Sequence, residues 1–272
     1  MGKGTCKYPG CPRKAYCRDW CKAHYMRYLR HGDPGGGRHA YRLDDGFFDS
    51  IDTEAKAYWL GFVNADGCVQ AGKVGANGWQ RHSLSVKLKA SDAGHLEKLK
   101  ADVSAESPVL PVRGRTAAEA AAEITLSSVR LTGALIRLGV TPRKSLTATP
   151  WNGPDHLMRH YWRGMVDGDG TIVKHPGRDD KWHLRLLGSE ACVEAFRIWA
   201  SAVSGSAAKK YPKGSIWSWT AGGLASPQAL ARELYGGSTV YLDRKHELAR
   251  RLMAAPIRHR SWLVPGPDRT EL

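Results

Sequence analysis

Two stretches of the chain alternate polar and apolar residues with a period of two. In residues 81–89 (RHSLSVKLK) the apolar positions Leu84, Val86 and Leu88 are separated by Ser or Lys, and residues 181–186 (KWHLRL) repeat the pattern. Successive side chains of a strand point to opposite faces, so each stretch predicts a strand with one apolar face and one cationic face. Because both stretches place cations outward, the pattern favours a negatively charged partner over a merely solvated surface.

Stretches with helical periodicity surround these strands. One helix is predicted from the N-cap candidates Asp52 or Thr53 to Asp66, and its counterpart runs from about Asp155 to Asp169. Further helices are predicted at 90–103, 127–138, 189–203 and 226–235, and short strands at 108–113, 121–126, 207–211 and 215–220. With a strand signal after Gly67 and Gly170, the predicted order is α-β-β-α-β-β-α, twice.

The order repeats because the sequence itself repeats. WLGFVNADGCV (59–69) returns as WRGMVDGDGTI (162–172), and PRKS (142–145) is answered by LDRKH (242–246). The matching pairs are Gly61 and Gly164, Asp66 and Asp169, all 103 apart, and Lys144 and Lys245, 101 apart. So steady an offset indicates duplication. We therefore predict an α+β protein with two tandem pseudo-symmetric repeats, residues 43–148 and 154–256, followed by a tail at 257–272.

Charge narrows the class of partner. The 272 residues carry 41 Lys and Arg against 26 Asp and Glu, a net charge of +15, which favours a polyanion. No run approaches the roughly 18 to 20 apolar residues of a membrane span, and the N-terminal residues lack an apolar signal core. We expect a soluble, cytoplasmic protein of bacterial or phage origin without a small-molecule substrate.

The first 37 residues form a predicted metal-binding module that ends in a Gly-rich linker. Within it, Cys6-x₄-Cys11-x₉-Cys21-x₂-His24 supplies four ligands suited to tetrahedral Zn²⁺. Cys17 is a fifth candidate, and sets that use it, or free buried thiols, are the alternatives to the predicted ligands. The first forty residues hold nine basic and two acidic side chains, so the module is predicted to extend a DNA footprint along flanking backbone or groove.

The two Gly-containing helices carry the candidate chemistry. Gly61-x-x-x-Ala65 and Gly164-x-x-x-Gly168 place small residues one turn apart, which allows two helix backbones to approach closely. Asp66 and Asp169 would then end the two helices side by side. Paired carboxylates at the negative ends of helix dipoles repel, and a shared divalent cation such as Mg²⁺ relieves the repulsion.

These motifs resemble the signature helices of the LAGLIDADG homing endonucleases, in the form where one chain carries both copies. The resemblance covers about residues 50 to 255 and implies a monomeric, sequence-specific double-strand DNA endonuclease whose two sheets form a DNA-binding saddle. It implies Mg²⁺ at Asp66 and Asp169, catalytic assistance from Lys144 and Lys245, and a staggered cut leaving short 3′ overhangs. Asn64 and Arg163 depart from the family pattern without removing a metal ligand.

On this interpretation, side chains on the outward strand faces reach base edges in the major groove. The candidate DNA-binding residues are Arg81, Lys87, Lys89, Arg113, Lys181, His183 and Arg185. A non-cleaving DNA-binding regulator or an RNA-splicing maturase on the same fold is the alternative. The acidic pair favours the enzyme, because a pure binder does not need it. The ends of the chain disfavour an intein, so we expect a free-standing or intron-encoded protein.

Overall fold

The computed structural model describes residues 4–31, 34, 41–74, 80–114, 116, 119–178 and 180–256. The chain divides into two compact units, Met1–Arg42 and Leu43–Leu272. Most of the predicted Gly-rich linker and the whole predicted tail at 257–272 lie outside the described residues. No helix within the described ranges is long and apolar enough to cross a membrane.

The described part of the first unit contains one helix, α1 (Lys22–His31). The residues before it form turns, held by backbone bridges between Thr5 and Lys14 and between Cys17 and Trp20. Among the described residues of this unit, only Cys6, Cys21 and His24 are buried. The interior of the unit therefore consists of predicted metal ligands rather than apolar side chains.

The second unit holds both sequence repeats. The first repeat contains α2 (Glu54–Asp66), β1 (Gly67–Val74), β2 (Gln80–Lys89), α3 (Ala93–Asp102), β3 (Leu110–Val112), β4 (Ala121–Ser127) and α4 (Val129–Arg137). The second repeat contains α5 (Asp155–Asp169), β5 (Gly170–Lys174), β6 (Trp182–Gly188), α6 (Glu190–Ser204), β7 (Tyr211–Lys213), β8 (Ile216–Gly223), α7 (Ala225–Tyr235) and α8 (Asp243–Ala254). The predicted α+β class with tandem αββαββα repeats is confirmed.

Each repeat forms one four-stranded antiparallel sheet, in the order β1-β2-β4-β3 and β5-β6-β8-β7. The predicted alternation is correct: Leu84 and Val86 on β2, and Leu184 and Leu186 on β6, are fully buried. The edge strands β3 and β7 each place a proline at their centre, Pro111 and Pro212. Proline has no backbone N–H, so it suits an edge strand, which needs fewer donors.

The sequence did not predict α8. Its residues DRKHELARRLMA are mostly charged, and only a narrow face, including Ala249 and Leu252, is buried. The side-chain amide of Gln228 on α7 donates to three carbonyls at the end of α8, those of Leu252, Met253 and Ala255, at 2.9–3.2 Å. The predicted strand at 207–211 is also displaced, because β7 starts at Tyr211 and pairs only with Ile216–Ser218.

The helices α2 and α5 cross at two glycines. A Cβ atom at Gly61 would overlap the carbonyl oxygen of Tyr161, and a Cβ at Gly164 would overlap that of Tyr58 and lie 2.6 Å from the backbone nitrogen of Phe62. The predicted close approach is therefore confirmed. The neighbouring tryptophans turn back into their own repeats, with Trp59 4.8 Å from the ring of His95 on α3, and Trp162 5.3 Å from Phe196 on α6. One apolar core includes residues of both repeats.

We expect Gly61→Ala to lower the free energy of unfolding by about 3 kcal/mol or more, because the added methyl meets backbone that has no rotamer to change. Gly94→Ala is the matched control: its Cβ would meet no atom within 4 Å, and alanine in helix α3 should be neutral or stabilising by up to about 1 kcal/mol. Urea unfolding followed by tryptophan fluorescence measures both. A Gly61→Ala midpoint equal to that of the unmodified chain would contradict the proposed crossing.

Candidate active site

Asp66 and Asp169 are the last residues of α2 and α5, where the crossed helices end. In the final turn the small residues Ala65 and Gly168 face each other so closely that a Cβ on Gly168 would overlap that of Ala65. The same position lies 3.3 Å from a carboxylate oxygen of Asp66. The small residues thus bring the two acidic helix ends together at the surface, as predicted.

The two carboxyl groups raise each other's energy when ionised. Both side chains reach solvent, yet surrounding protein partly desolvates them. This desolvation and the charge of Asp169 raise the pKa of Asp66 to about 6, against the opposing charges of Lys245 and Lys144. Burial likewise raises the pKa of Asp169, again opposed by the two lysines. A cation at this point would favour both ionised forms.

The predicted catalytic lysines are buried beneath this acidic pair. Lys144 is 7% exposed, and its Nζ donates to the carbonyl oxygens of Ala65 at 3.3 Å and Gly67 at 2.6 Å. Lys245 is 3% exposed and donates to four carbonyl oxygens, those of Val166 (2.7 Å), Asp167 (2.6 Å), Gly168 (3.2 Å) and Gly170 (2.8 Å). The lysines therefore cap the C-terminal ends of the two motif helices, where carbonyls lack helical donors.

Burial lowers the pKa of both lysines. That of Lys245 falls to about 8, although the carboxylate of Asp167 opposes the change. The pKa of Lys144 is lowered, with Asp169 and Asp66 opposing. The two ammonium groups also lower the cost of placing two carboxylates at the helix ends, so each lysine serves both the backbone and the acidic pair.

Asn64 and Asp167 occupy one of the buried positions at which the duplicated helices differ. Tyr58 and Tyr161 are equivalent, and each reaches across the crossing to the position two residues before the other helix's terminal aspartate. Tyr58 donates to the carboxylate of Asp167 at 2.8 Å, whereas Tyr161 accepts from the amide of Asn64 at 2.8 Å. The first repeat thus holds a neutral amide where the second holds a carboxylate.

Asp167 is satisfied by three donors. Besides Tyr58, it accepts from the hydroxyl of Tyr235 at 2.6 Å and the backbone nitrogen of Leu242 at 2.8 Å. Burial raises the pKa of Asp167, opposed first by Lys245. Asp167 therefore fixes the segment that leads into α8, on which Lys245 lies.

Arg163, the second departure from the family pattern, fixes the same segment. Its side chain is fully buried and donates to the carbonyls of Leu234 at 2.9 Å and Val240 at 2.8 Å. It also pairs at 2.6 Å with Glu54 of the first repeat, whose carboxylate accepts from the backbone nitrogen of Thr239 at 2.8 Å. This network was not predicted from the sequence, although the shared 103-residue offset of Tyr58 and Tyr161, and of Asn64 and Asp167, was a readable signal.

A small cavity of about 230 Å³ opens beside the acidic pair on the Lys144 side. Asp169 and Lys144 are its charged lining residues, and Met165, Leu187 and Cys192 are among the apolar and thiol groups that also line it. The cavity brings one carboxylate and one buried ammonium group to a common opening.

The candidate DNA-binding residues with described side chains lie on the open faces of the sheets or at their edges. Lys87, Lys89 and Arg113 are exposed, while Lys181, just before β6, is half-buried. His183 and Arg185 are half-buried on β6, and Arg185 donates to the hydroxyl of Thr220 at 3.1 Å. The strand β2 includes Arg81, whose side chain lies outside the described part of the chain. The first sheet is less cationic than predicted, because Lys87 lies opposite Glu123 on β4.

The N-terminal unit brings together the four predicted zinc ligands and leaves Cys17 outside the group. The ligand atoms of Cys6, Cys11, Cys21 and His24 lie within 4.8 Å of one another. The sulfur atoms of Cys11 and Cys21 are 3.9 Å apart, and Nδ1 of His24 is 3.2 Å from the sulfur of Cys6. A tetrahedral zinc site with ordinary bond lengths requires S–S and S–N separations of about 3.8 and 3.6 Å, so the donor set fits.

Hydrogen bonds also favour the thiolate form of Cys21. Burial raises the pKa of Cys21, but hydrogen bonds from the backbone of His24, the thiol of Cys11 and the backbone of Ala23 together outweigh it and lower the pKa. The residues Tyr8 to Cys11 form a turn closed by the 3.0 Å bond from the nitrogen of Cys11 to the carbonyl of Tyr8, with Gly10 at φ +74°. A positive φ at this position suits glycine and fixes where Cys11 presents its sulfur.

Comparison with known proteins finds the fold but no close relative in sequence. No family model and no curated protein matches the chain. Among solved structures, the I-SmaMI meganuclease bound to an uncleaved DNA target in the presence of calcium ions is 13% identical, with a TM-score of 0.52 over 75% of this chain and 91% of that one. The LAGLIDADG homing endonuclease I-GzeII in complex with its DNA target is 11% identical, with a TM-score of 0.52 over 76% and 90%. The chain therefore has the fold of the LAGLIDADG homing endonucleases, with both signature helices in one polypeptide.

Proposed function

We propose that this protein is a sequence-specific double-strand DNA endonuclease of the homing type, acting as a monomer. The observation that carries the proposal is the pair Asp66 and Asp169, held side by side at the ends of two crossed helices between two sheets. Nothing in the packing requires two carboxylates there. Their raised pKa values mean that the two ionised carboxylates lower the stability of the folded protein. A binding site for divalent cations explains that cost.

The donor set at the helix ends fits Mg²⁺. Carboxylate oxygens are hard ligands, and both side chains are open to solvent, which leaves room for water and phosphate oxygens. When bound, the metal would lower the pKa of a coordinated water and neutralise charge on the scissile phosphate. I-SmaMI binds an uncleaved DNA target in the presence of calcium ions, which is consistent with such a site on this fold.

The two lysines act chiefly by holding the two aspartates in place. Their hydrogen bonds to the helix ends set the spacing of Asp66 and Asp169, and their charges oppose the rise in carboxylate pKa. One aspartate and one lysine from each repeat give two related centres, one for each strand of a duplex. Hydrolysis of one phosphodiester at each centre leaves a staggered break with short 3′ overhangs, as the resemblance implies.

The sheets supply the DNA-binding surface. Exposed cations on the first sheet and the half-buried His183 and Arg185 on the second are suited to phosphates and to base edges in the major groove. I-SmaMI and I-GzeII are both bound to DNA in their structures, which supports DNA as the partner of this fold. The N-terminal unit, with zinc at its four ligands, adds further positive charge to this footprint.

Incubation with a randomised duplex library and Mg²⁺, followed by sequencing of the ends, should reveal one cut site. Asp66→Asn and Asp169→Asn should each lower cleavage at least about 100-fold, because an amide is a weaker cation ligand, while leaving DNA affinity within about threefold. Lys56→Ala, which removes an exposed ion pair with Asp52 instead, is the control. Tight binding with no cut site for the unmodified chain would favour a regulator or maturase.

Cleavage should depend on pH through Asp66. Its pKa of about 6 means that the group is protonated below this pH and then lacks the charge that holds the cation. The rate should fall about tenfold per pH unit below 6 and level off above it. Raising the Mg²⁺ concentration should move the midpoint to lower pH, since the cation competes with the proton. A flat profile down to pH 5 at the lowest Mg²⁺ concentration, with zinc content unchanged, would exclude this role.

The zinc site can be tested independently of DNA. Cys21→Ser should lower the zinc content from one ion per chain to none and unfold the N-terminal unit, because its interior consists of the ligands themselves. Cys17→Ser is the matched control and should retain the ion, since Cys17 lies outside the ligand group. Mass spectrometry under native conditions counts the metal. Zinc loss in Cys17→Ser but not in Cys21→Ser would reverse the assignment.

A further inference from the structure

A cleft opens in the N-terminal unit on the side of the Cys/His group. Its volume is about 290 Å³, and its walls include Tyr8, Cys11, Arg13, His24 and Arg27. The turn from Tyr8 to Cys11 forms one side, and helix α1, which carries His24 and Arg27 three residues apart, forms the other. Among the residues that the structure describes, no carboxylate lines this cleft.

The two arginines of the cleft have no partner within the described part of the chain. Arg13 is exposed and Arg27 is half-buried, yet neither guanidinium forms a hydrogen bond or an ion pair there. Two other cations of the unit are engaged, since Lys7 pairs with Asp19 at 3.6 Å and Arg18 donates to the hydroxyl of Tyr28 at 3.3 Å. Two unpaired guanidinium groups around one concave site attract an anion with several acceptor oxygens.

The third donor is His24. Its Nδ1 faces the sulfur atoms of Cys6 and Cys21, at 3.2 and 3.5 Å, so Nε2 carries the ring proton when a metal is bound. A ligating histidine ordinarily donates this other N–H to an acceptor. Nε2 of His24 makes no hydrogen bond with any described residue, although His24 is only 8% exposed and borders the cleft.

We propose that this cleft is a phosphate-binding site, formed by Arg13, Arg27 and the Nε2–H of His24, and that it holds a backbone phosphate of duplex DNA. The inference rests on the proposed function, since it assigns the DNA contact of the N-terminal unit. A phosphodiester offers two unesterified oxygens to three donors, and its negative charge matches a cleft whose described walls carry no acid. An acidic peptide would present carboxylates to the same donors and is distinguished by the test.

The experiment uses the full chain and a labelled duplex containing its binding site. Fluorescence anisotropy at several salt concentrations gives the slope of log Kd against log salt concentration. Each lost phosphate contact lowers the magnitude of this slope by about one. The double variant Arg13→Ala with Arg27→Ala removes the one phosphate contact of the cleft and should therefore reduce it by about one. The control is Lys14→Ala with Lys22→Ala, which removes the same charge from exposed residues outside the cleft and should reduce it by less than about 0.5.

Equal effects of the two double variants would overturn the proposal, because the arginines would then contribute only general charge. Zinc content measured on every variant checks that the ligand group is intact.

A chain that binds no duplex would contradict the proposed function itself. In that event, titration with inorganic phosphate, followed by NMR of the arginine Nε–H groups, still tests the cleft: shifts at Arg13 and Arg27 but not Arg18 support it, and uniform shifts reject it. Displacement of phosphate by a poly-glutamate peptide at lower concentration than by duplex would indicate the peptide instead.

Discussion

The backbones of α2 and α5 touch at Gly61 and Gly164 with no side chain between them, and the rest of the second unit depends on this contact. Only such an approach brings the last turns close enough for Ala65 to meet Gly168, and so places Asp66 beside Asp169. The same crossing turns the large residues of each helix outward into its own repeat, where the tryptophans pack on α3 and α6. The helix crossing therefore determines both the packing of the core and the position of the two candidate catalytic aspartates.

The crossing brings groups of negative charge together, and the two lysines reduce their repulsion. Two helix ends expose unpaired carbonyls and two carboxylates in a partly desolvated place, and all of these groups are negative. Lys144 and Lys245 supply ammonium donors from beneath, at the cost of burying two charges. Such burial is tolerable because each ammonium group has several acceptors. A bound cation would complete the balance, and this is the reason for proposing a metal site here rather than a structural ion pair.

The two repeats differ in their buried hydrogen bonds at the helix crossing. Asn64 holds Tyr161 through a neutral amide, whereas Asp167 collects two tyrosine hydroxyls and a backbone N–H. Arg163 and Asp167 together bind the segment before α8, so Lys245 has a more constrained setting and twice as many carbonyl acceptors as Lys144. The two centres are thus related by sequence but differ in the charge and rigidity of their surroundings.

Several features followed from the sequence alone. Short-range patterns are set by local chemistry and can be read from the sequence. The alternation around Val86 predicted the strands, and the small residues of the two motif helices predicted the helix crossing. The ligand spacing from Cys6 to His24 predicted the zinc group. Other features depend on groups distant in the chain, which no local pattern records. Three features arose only in three dimensions: the capping role of Lys245, the pairing of Glu54 with Arg163, and the helix α8. A buried polar side chain has meaning only through its partners, and tertiary structure decides which partners it meets.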